Sequence, residues 1–242
     1  MTRQLTGRVP AQAIRRTELP RLPADLLARY AAIDDLTGTA SDAMDHLGLR
    51  GAVPASQLAP SLPGRRLVGQ AVTVRNVERS ESPTLAAASG VGRMGEHEAY
   101  NQAAPGDVVV IEGLTGISNM GGQSATVAHR AGCAGAVIDG SFRDPDASRG
   151  HGFPIWSRGV TPITGKWRLE TVEINGRVRI AGVSVDAADL VLADEAGVVF
   201  VPFAQAEAVL AQAERIAAGD SRQKADIAAG VDLATLAATR YK

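Results

Sequence analysis

One stretch decides the fold of this chain: Gly132-Cys-Ala-Gly-Ala-Val-Ile-Asp-Gly-Ser-Phe-Arg-Asp144. Gly132 is typical of a residue that ends a helix, and the apolar run Ala136–Ile138 indicates a buried strand. The strand leads into a loop that ends in Arg143-Asp144. A guanidinium matches the two oxygens of a carboxylate, and an aspartate oxygen is a hard ligand of the kind that Mg²⁺ prefers. The pair predicts a site for an acid and a dication, with an ordinary surface ion pair as the alternative.

The segment before this stretch completes a strand–loop–helix–strand unit. Val108–Ile111 is a short apolar run and predicts a buried strand. A loop over Gly113–Gly122 follows, and Gln123–Ala131 predicts a helix. Successive parallel strands joined by a helix are typical of an α/β fold, whose ligands bind at the carboxyl ends of the strands.

The helix start within this unit is a candidate anion site. The first amides of a helix lack backbone partners, and the helix dipole favours negative charge there. The candidate carboxylate-binding residues are therefore Gly121, Gly122, Gln123 and Ser124, opposite Arg143. A tight turn at Gly121-Gly122 is the alternative. The loop is not a phosphate-binding Walker loop, since no Gly-Lys-Ser/Thr follows.

The rest of the chain predicts a mixed sheet with helices, including C-terminal ones, in a single α/β domain. Helices are predicted over Pro23–Ala32, Thr39–Leu47 with Ser41 as cap, Ala204–Ala217 and Ser221–Ala229, and a helix or loop over Pro83–Gly90. Strands are predicted over Leu67–Val77, Val183–Val185, Leu190–Ala193 and Val198–Val201, and a hairpin joins Thr171–Ile174 to Val178–Ile180 through Asn175-Gly176. Segment 51–64 is interpreted as loop, and segment 145–162 as irregular.

Composition excludes several classes of protein. A net charge of −1 over 242 residues provides no basic field for nucleic acid. No apolar run is long enough for a membrane helix, and the N-terminus lacks the apolar core of a signal peptide. The single cysteine, Cys133, excludes an intrachain disulfide and suits a reducing compartment, so we expect a cytoplasmic protein.

Other reactive side chains are interpreted as structural. The histidines are scattered without zinc-site spacing: His46, His97, His129 and His151. Ser141 has no visible base beside it, and Cys133 is interpreted as a small buried apolar residue. Asp194-Glu195 is interpreted as a solvated turn.

Several motifs together resemble the RraA-like family, which includes the class II 4-hydroxy-4-methyl-2-oxoglutarate/4-carboxy-4-hydroxy-2-oxoadipate aldolases. They are Thr39-Ala-Ser-Asp-Ala-Met44, Gly64-Arg-Arg-Leu-Val-Gly-Gln-Ala-Val-Thr-Val74, Pro105-Gly-Asp-Val-Val-Val110, Gly135–Asp144, Arg158-Gly-Val-Thr-Pro162 and Ala193-Asp-Glu-Ala-Gly-Val-Val-Phe-Val-Pro202. The likeness covers residues 33–233, and residues 1–32 form an N-terminal arm and the start of a helix.

The resemblance implies an enzyme that acts on a small 2-oxo acid through a pyruvate enolate. Asp144 would anchor Mg²⁺ or Mn²⁺ largely through waters, and Arg143 would bind the pyruvyl part. Asp220, from the C-terminal helix of a neighbouring subunit, would be the second catalytic residue, facing the metal's water shell. The resemblance further implies a homotrimer or homohexamer with sites between subunits, and no nucleic-acid or membrane partner.

One position departs from the aldolase pattern. Those aldolases carry an acid where this chain has Gly122, so another residue must serve in proton transfer or the reaction differs. Glu96, Glu98 and Glu112 are the candidate replacements. Oxaloacetate decarboxylation passes through the same enolate and needs less proton transfer. The alternatives are another metal-dependent lyase or hydro-lyase, or a regulator of the endoribonuclease RNase E.

Overall fold

The fold is built around one mixed sheet, seen in a computed structural model that describes residues 4–241. The first residues of the predicted N-terminal arm, 1–3, lie outside the described residues. The strands are β1 (Ala52–Pro54), β2 (Ala59–Pro60), β3 (Leu67–Glu78), β4 (Val108–Glu112), β5 (Gly135–Phe142), β6 (Ile155–Val160), β7 (Leu169–Ile174), β8 (Val178–Ile180), β9 (Val183–Val185), β10 (Leu190–Asp194) and β11 (Gly197–Val201).

Eight α-helices accompany this sheet among residues 4–241. They are α1 (Ala24–Ala31), α2 (Leu36–His46), α3 (Pro83–Ser89), α4 (Glu96–Gln102), α5 (Gly122–Arg130), α6 (Pro145–Gly150), α7 (Ala206–Ala228) and α8 (Leu233–Ala238). Short 3₁₀ turns lie at Ala11–Ala13 and Phe203–Gln205.

The strand order of the sheet is β1-β11-β10-β3-β4-β5-β6-β2, and β7 also pairs with β3. The central strands β3, β4, β5 and β6 run parallel, and the outer pairings are antiparallel. The expected α/β fold with a mixed sheet and C-terminal helices is therefore confirmed. Because the four parallel strands end at one edge, the segments that follow them meet there.

The registers of the parallel strands build two apolar layers. Val72, Val109, Ala136 and Ile155 are aligned across β3 to β6, and all are buried in the core beneath α4 and α5. A second core lies on the opposite face, where the β8–β9 ribbon covers the sheet. A third apolar cluster packs α1, α2 and α7 against β10 and β11.

The N-terminal arm is docked onto the domain. Val9 is buried, and Thr6 N–H donates to Glu98 Oε2 at 2.6 Å. Asn101 Nδ2 donates to the Gln4 carbonyl at 2.8 Å. The arm therefore lies across α4, which places Arg8 beside the edge where the parallel strands end.

Two predicted elements are wrong in their pairing or their length. The Asn175-Gly176 hairpin does not form, because β7 pairs with β3 and β8 pairs with β9. The hairpin is instead β8–β9, where Ala181 and Gly182 both have positive φ, as a two-residue turn requires. The two predicted C-terminal helices form one helix, α7, which passes through Gly219 and ends before the left-handed Gly230.

Four predictions of local structure are also wrong. The segment interpreted as irregular after Asp144 contains α6 and β6, whose apolar pattern is broken by Arg158-Gly159. The segment 51–64 contains the short strands β1 and β2. Ser41 lies inside α2 and does not cap it. The Asp194 carboxylate receives hydrogen bonds from Thr37 N–H and Oγ1 at the start of α2, so it is not a merely solvated turn acid.

Candidate functional site

A cavity of about 360 Å³ lies at the edge where the parallel strands end. Each of the four strands contributes the segment that follows it. The lining residues are Arg8, Gly90, Gly92, Met94, Glu96, His97, Ser118, Gly121, Gln123, Ser124, Arg143, Thr164, Gly165 and Lys166. The cavity therefore lies where ligands of open α/β sheets usually bind.

Arg143 and Asp144 lie directly after β5. Arg143 N–H donates to the Met120 carbonyl at 3.0 Å, which ties the end of β5 to the loop after β4. Its side chain is 40% exposed and lines the cavity, and its Nε lies 3.4 Å from Asp144 Oδ2. Asp144 has φ of 58°, a left-handed conformation that aspartate tolerates better than most residues. This turn directs both side chains to the start of α5.

The start of α5 combines with this pair. Gly122 N–H donates to Asp144 Oδ2 at 3.0 Å, so its amide is used within the protein. Gly121, Gln123 and Ser124 line the cavity with Arg143. The first amide–carbonyl hydrogen bond of the helix runs from Ala125 to Gly121 at 2.9 Å. The structure thus brings three of the four predicted helix-start residues into the cavity and places Gly122 against Asp144.

Gly122 is closely surrounded. A Cβ at this position would lie 2.8 Å from Ala147 Cβ and 3.1 Å from Asp144 Cβ. Contacts this short require a shift of α6 against α5. The position where the aldolases carry an acid therefore has no room for any side chain in this chain.

Of the three candidate replacements, one reaches the cavity. Glu96, the first residue of α4, lines it. Glu98 accepts hydrogen bonds from Thr6, Asn101 and Gln102, which lower the pKa of its carboxyl group against the raising effect of burial. Glu112 accepts from Arg179 N–H at 2.7 Å and pairs with Arg75.

The loop after β4 is organised by an asparagine that sequence reasoning missed. Asn119 is fully buried, and its Nδ2 donates to the carbonyls of Leu114, Ile117 and Ser141. These contacts hold the loop against β5 and place Gly121 beside Arg143. An asparagine within a glycine-rich loop was the only signal of this role in the sequence.

Two cations were also missed as cavity residues. Arg8 arrives from the N-terminal arm, and Lys166 lies after β6 with its Nζ 4.4 Å from the Trp167 ring centroid. Neither residue belongs to a recognisable motif. Together with Arg143 they give the cavity a positive character that suits an anionic ligand.

Asp220 lies elsewhere in the chain. It is on α7 and lines a second cavity, with Arg29, Asp35 and Lys224 among its neighbours. One chain does not bring Asp220 to Arg143, so its predicted role depends on a neighbouring subunit and stays a prediction.

A closed metal site is absent from residues 4–241: no three or more His, Cys, Asp or Glu side chains there are grouped to hold an ion. The Asp144 side chain is 51% exposed beside the cavity. Mg²⁺ commonly binds through one or two carboxylates and keeps several waters. Asp144 therefore fits an open, water-rich dication site. No helix among the described residues has the length and apolarity to cross a bilayer.

Known proteins that are similar in sequence and known proteins that are similar in structure point to one family. The pattern of the RraA-like family (Aldolase/RraA) matches residues 37–200. A provisionally named 4-hydroxy-4-methyl-2-oxoglutarate aldolase of Halalkalibacterium halodurans is 34% identical over 136 residues, 55% of this chain and 64% of that protein. Protein DlpA of Legionella pneumophila is 26% identical over 80% of this chain and 30% of its own length. The chain thus spans less than two thirds of each of these relatives.

Two solved structures share the fold over most of the chain. An uncharacterized protein from Pseudomonas syringae pv. tomato has a TM-score of 0.76 at 26% identity, covering 90% of this chain and 99% of that one. Streptomyces coelicolor RraAS2, described as an unusual member of the RNase ES inhibitor RraA protein family, has a TM-score of 0.68 at 25% identity, with 87% and 98% covered. The motifs around Arg143-Asp144, the family pattern and these structures agree that the chain belongs to the RraA-like family.

Proposed function

We propose that this protein is a divalent-metal-dependent lyase that acts on a 2-oxo acid through a pyruvate enolate. The activity would be of the aldolase type, oxaloacetate decarboxylation, or both. One observation carries the proposal: the Arg143 guanidinium and the first turn of α5 line the same cavity, directly beside the half-exposed Asp144 carboxylate. The family and its aldolase relative support this reading.

Each residue has a chemical role in this scheme. Arg143 would bind the substrate carboxylate or the 2-oxo oxygen and offset the negative charge that develops as the C–C bond breaks. The amides of Gln123 and Ser124, which precede the first backbone hydrogen bond of α5, would receive a carboxylate oxygen. Asp144 would hold Mg²⁺ or Mn²⁺. When bound, the dication would supply a Lewis acid that favours the enolate.

The cavity also favours a particular substrate class. Arg8 and Lys166 line it in addition to Arg143. A monocarboxylic oxo acid needs one cation for its carboxylate, and a second acidic group needs another. We therefore propose a 2-oxo acid with a second carboxylate, a class that includes both the aldolase substrates and oxaloacetate.

A decarboxylation assay tests the proposal. Pyruvate release from oxaloacetate is measured with Mg²⁺, with Mn²⁺ and with a chelator, for the wild type and Asp144→Asn. Asparagine tolerates the left-handed backbone at this position but removes the charge. We expect a loss of about 100-fold or more on chelation or substitution. Asp146→Asn is the matched control, because the Asp146 side chain is 97% exposed in α6, the helix that follows Asp144. Equal rates in Asp144→Asn would remove Asp144 from the mechanism.

A regulatory role is the second candidate, favoured by the structural likeness to the RraAS2 protein. A regulator of an RNase E-type nuclease would bind its partner without needing Mg²⁺ or Arg143. Inhibition of RNA cleavage by the wild type and by Arg143→Ala to the same degree, with no pyruvate release from either, would support regulation over catalysis.

A further inference from the structure

Glu96 is a buried acid on the wall of the cavity that holds Arg143. It is 4% exposed and is the first residue of α4. An ionised carboxylate is costly to bury unless its oxygens are paired. A buried acid in the wall of a cavity is therefore a candidate for a chemical role.

The hydrogen bonds of Glu96 account for only half of its carboxyl group. Oε1 accepts from Ser124 Oγ at 2.9 Å, and the Tyr100 hydroxyl lies 2.8 Å from the same Ser124 Oγ. Burial, and secondly the charge of Glu96, raise the pKa of Tyr100, so its phenol stays protonated. Oε2 is buried and has no hydrogen-bond partner among residues 4–241. Oε1 is thus held in place by a residue of α5, and Oε2 lacks a hydrogen-bond donor among the described residues.

The location of Glu96 matches the acid that the aldolase pattern lacks here. Ser124, its partner, is two residues after Gly122 in the first turn of α5. Gly122 cannot carry a side chain without displacing Ala147. Glu96, which belongs to α4, nevertheless reaches the same helix start through its hydrogen bond with Ser124.

We propose that Glu96 is the proton-transfer residue of this site, and this inference rests on the proposed lyase function. In aldol cleavage, the Glu96 carboxylate takes the proton of the C4 hydroxyl. The C3–C4 bond breaks, its electrons pass to the C2 oxygen, and the C4 fragment leaves as a carbonyl compound. The protonated Glu96 then gives its proton to C3 of the enolate, which forms pyruvate and restores the carboxylate. Protons and electrons balance without a further reactant.

Oxaloacetate decarboxylation helps to distinguish a proton-transfer role of Glu96 from a merely structural one. There the C3–C4 bond breaks with loss of CO₂, no hydroxyl proton needs removal, and the enolate takes a proton from water after release. Exchange of the pyruvate methyl protons in D₂O, in contrast, does need a base, because a proton must be removed from C3. A residue that moves protons is needed for exchange and much less for decarboxylation.

The experiment compares both reactions and ligand binding in wild type, Glu96→Gln and Glu96→Asp, with Glu112→Gln as control. Glu112 receives the same change outside the cavity. NMR follows methyl exchange, a pyruvate assay follows decarboxylation, and calorimetry with Mg²⁺ measures oxalate binding. We expect Glu96→Gln to slow exchange by about 100-fold or more while decarboxylation and oxalate affinity stay within about threefold. Glu96→Asp, whose acid is withdrawn by one methylene, should slow exchange by about tenfold.

The other outcomes separate the two proposals. Exchange at the wild-type rate in either variant would overturn the role of Glu96 and leave the lyase function intact. Loss of oxalate binding together with both reactions would also overturn it, since Glu96 would then only shape the site. A wild type that catalyses neither reaction with Mg²⁺ or Mn²⁺ would overturn the proposed function itself. Because Glu96→Asp keeps the acid, it supplies a test even if Glu96→Gln fails to fold.

Discussion

Gly122 shows how a single residue reshapes the helix start at the site. Its hydrogen atom leaves room for Ala147 of α6, and its N–H anchors the Asp144 carboxylate. A methyl group there would press on Ala147 Cβ at 2.8 Å, and both atoms belong to packed helices. The site's geometry at Asp144 therefore depends on the absence of a side chain at 122.

Gly122→Ala is predicted to destabilise the protein by about 1–3 kcal/mol through overpacking. Gly38 is the matched control, because it also lies in a helix, α2, and a Cβ there meets nothing within 4 Å. Gly38→Ala should stabilise by up to about 1 kcal/mol. Urea unfolding measures both changes. If the two substitutions shift the free energy of unfolding alike, the crowding at Gly122 is not real.

Cys133 carries a pH prediction. Burial, and secondly the charge of Asp107, raise the pKa of its thiol from 9.0 to about 12. The unfolded thiol ionises first, so between these values the unfolded state binds fewer protons than the native state. The contribution of the Cys133 thiol to the free energy of unfolding is therefore fully present below about pH 9. It is lost as the pH rises towards about 12, by at most about 1.4 kcal/mol per pH unit.

Comparison of wild type with Cys133→Ala isolates that effect. The free energy of unfolding, measured from pH 8 to 10.5, should fall more steeply for the wild type. The alanine variant will start lower because it leaves a small cavity, so the slope and not the level is compared. Equal slopes would mean that the thiol is less shielded than its burial indicates.

At the residue scale, the sequence indicated where the site lies but not all of its members. Arg143 and Asp144 could be placed because they follow a strand whose apolar run is unmistakable. Glu96, Glu98 and Glu112 could not be told apart, since which acid reaches the cavity depends on how α4 packs against α5. Arg8 and Lys166 belong to segments with no recognisable motif, and only the tertiary structure places them in the cavity.

The N-terminal arm is the element that adds most to the site from outside the family pattern. It precedes residue 37, where that pattern begins, and it is held by Thr6 and Val9 against α4. Its contribution to the cavity is Arg8. The arm thus has the position of an element that selects the substrate.

Arg8→Ala is predicted to raise KM for oxaloacetate about tenfold while leaving kcat nearly unchanged, because a contact to the distal carboxylate is made equally in the ground and transition states. Arg16→Ala is the control on the same arm, since Arg16 lies by a different cavity. Steady-state kinetics with Mg²⁺ give both constants. A drop in kcat at unchanged KM would place Arg8 in the chemistry instead of in substrate selection.

Elements were predictable from sequence where one local pattern dominated. β3, β4 and β5 follow from apolar runs bounded by turn residues. The predicted hairpin at Asn175-Gly176 was wrong because β7 pairs with β3 and not with β8. This pairing joins segments that are far apart in the sequence, so no local pattern indicates it. The break expected near Gly219 was wrong. The part of α7 up to Ile216 packs in one cluster with α2, β10 and β11, Gly219 itself is buried, and this packing overrides one glycine's low helix propensity.

For the whole molecule, we propose that a complete site needs residues from more than one subunit. Asp220 lies on α7, away from the cavity of its own chain. Apolar side chains next to cavity residues are exposed, namely Val91 at 55% and Ile163 at 44%. A neighbouring subunit packed on this rim would cover them and bring its own Asp220, as a head-to-tail ring does. We therefore expect a homotrimer or homohexamer by sedimentation.

Subunit mixing tests this arrangement. Arg143→Ala and Asp220→Asn are each predicted to lose activity, and after joint dissociation and reassembly about a quarter of the wild-type activity should return, since random mixing rebuilds that share of sites. Each variant reassembled alone is the control. A mixture that stays as inactive as its components would place Asp220 outside the active site.

We propose that Arg143 and a dication at Asp144 together bind a small oxo acid. Calorimetry with oxalate, a stable analogue of the pyruvate enolate, measures this joint binding. We predict that oxalate binds to the wild type in Mg²⁺ and that this binding disappears with a chelator, in Asp144→Asn and in Arg143→Ala. Oxalate binding of equal affinity without the metal, or in either variant, would contradict it.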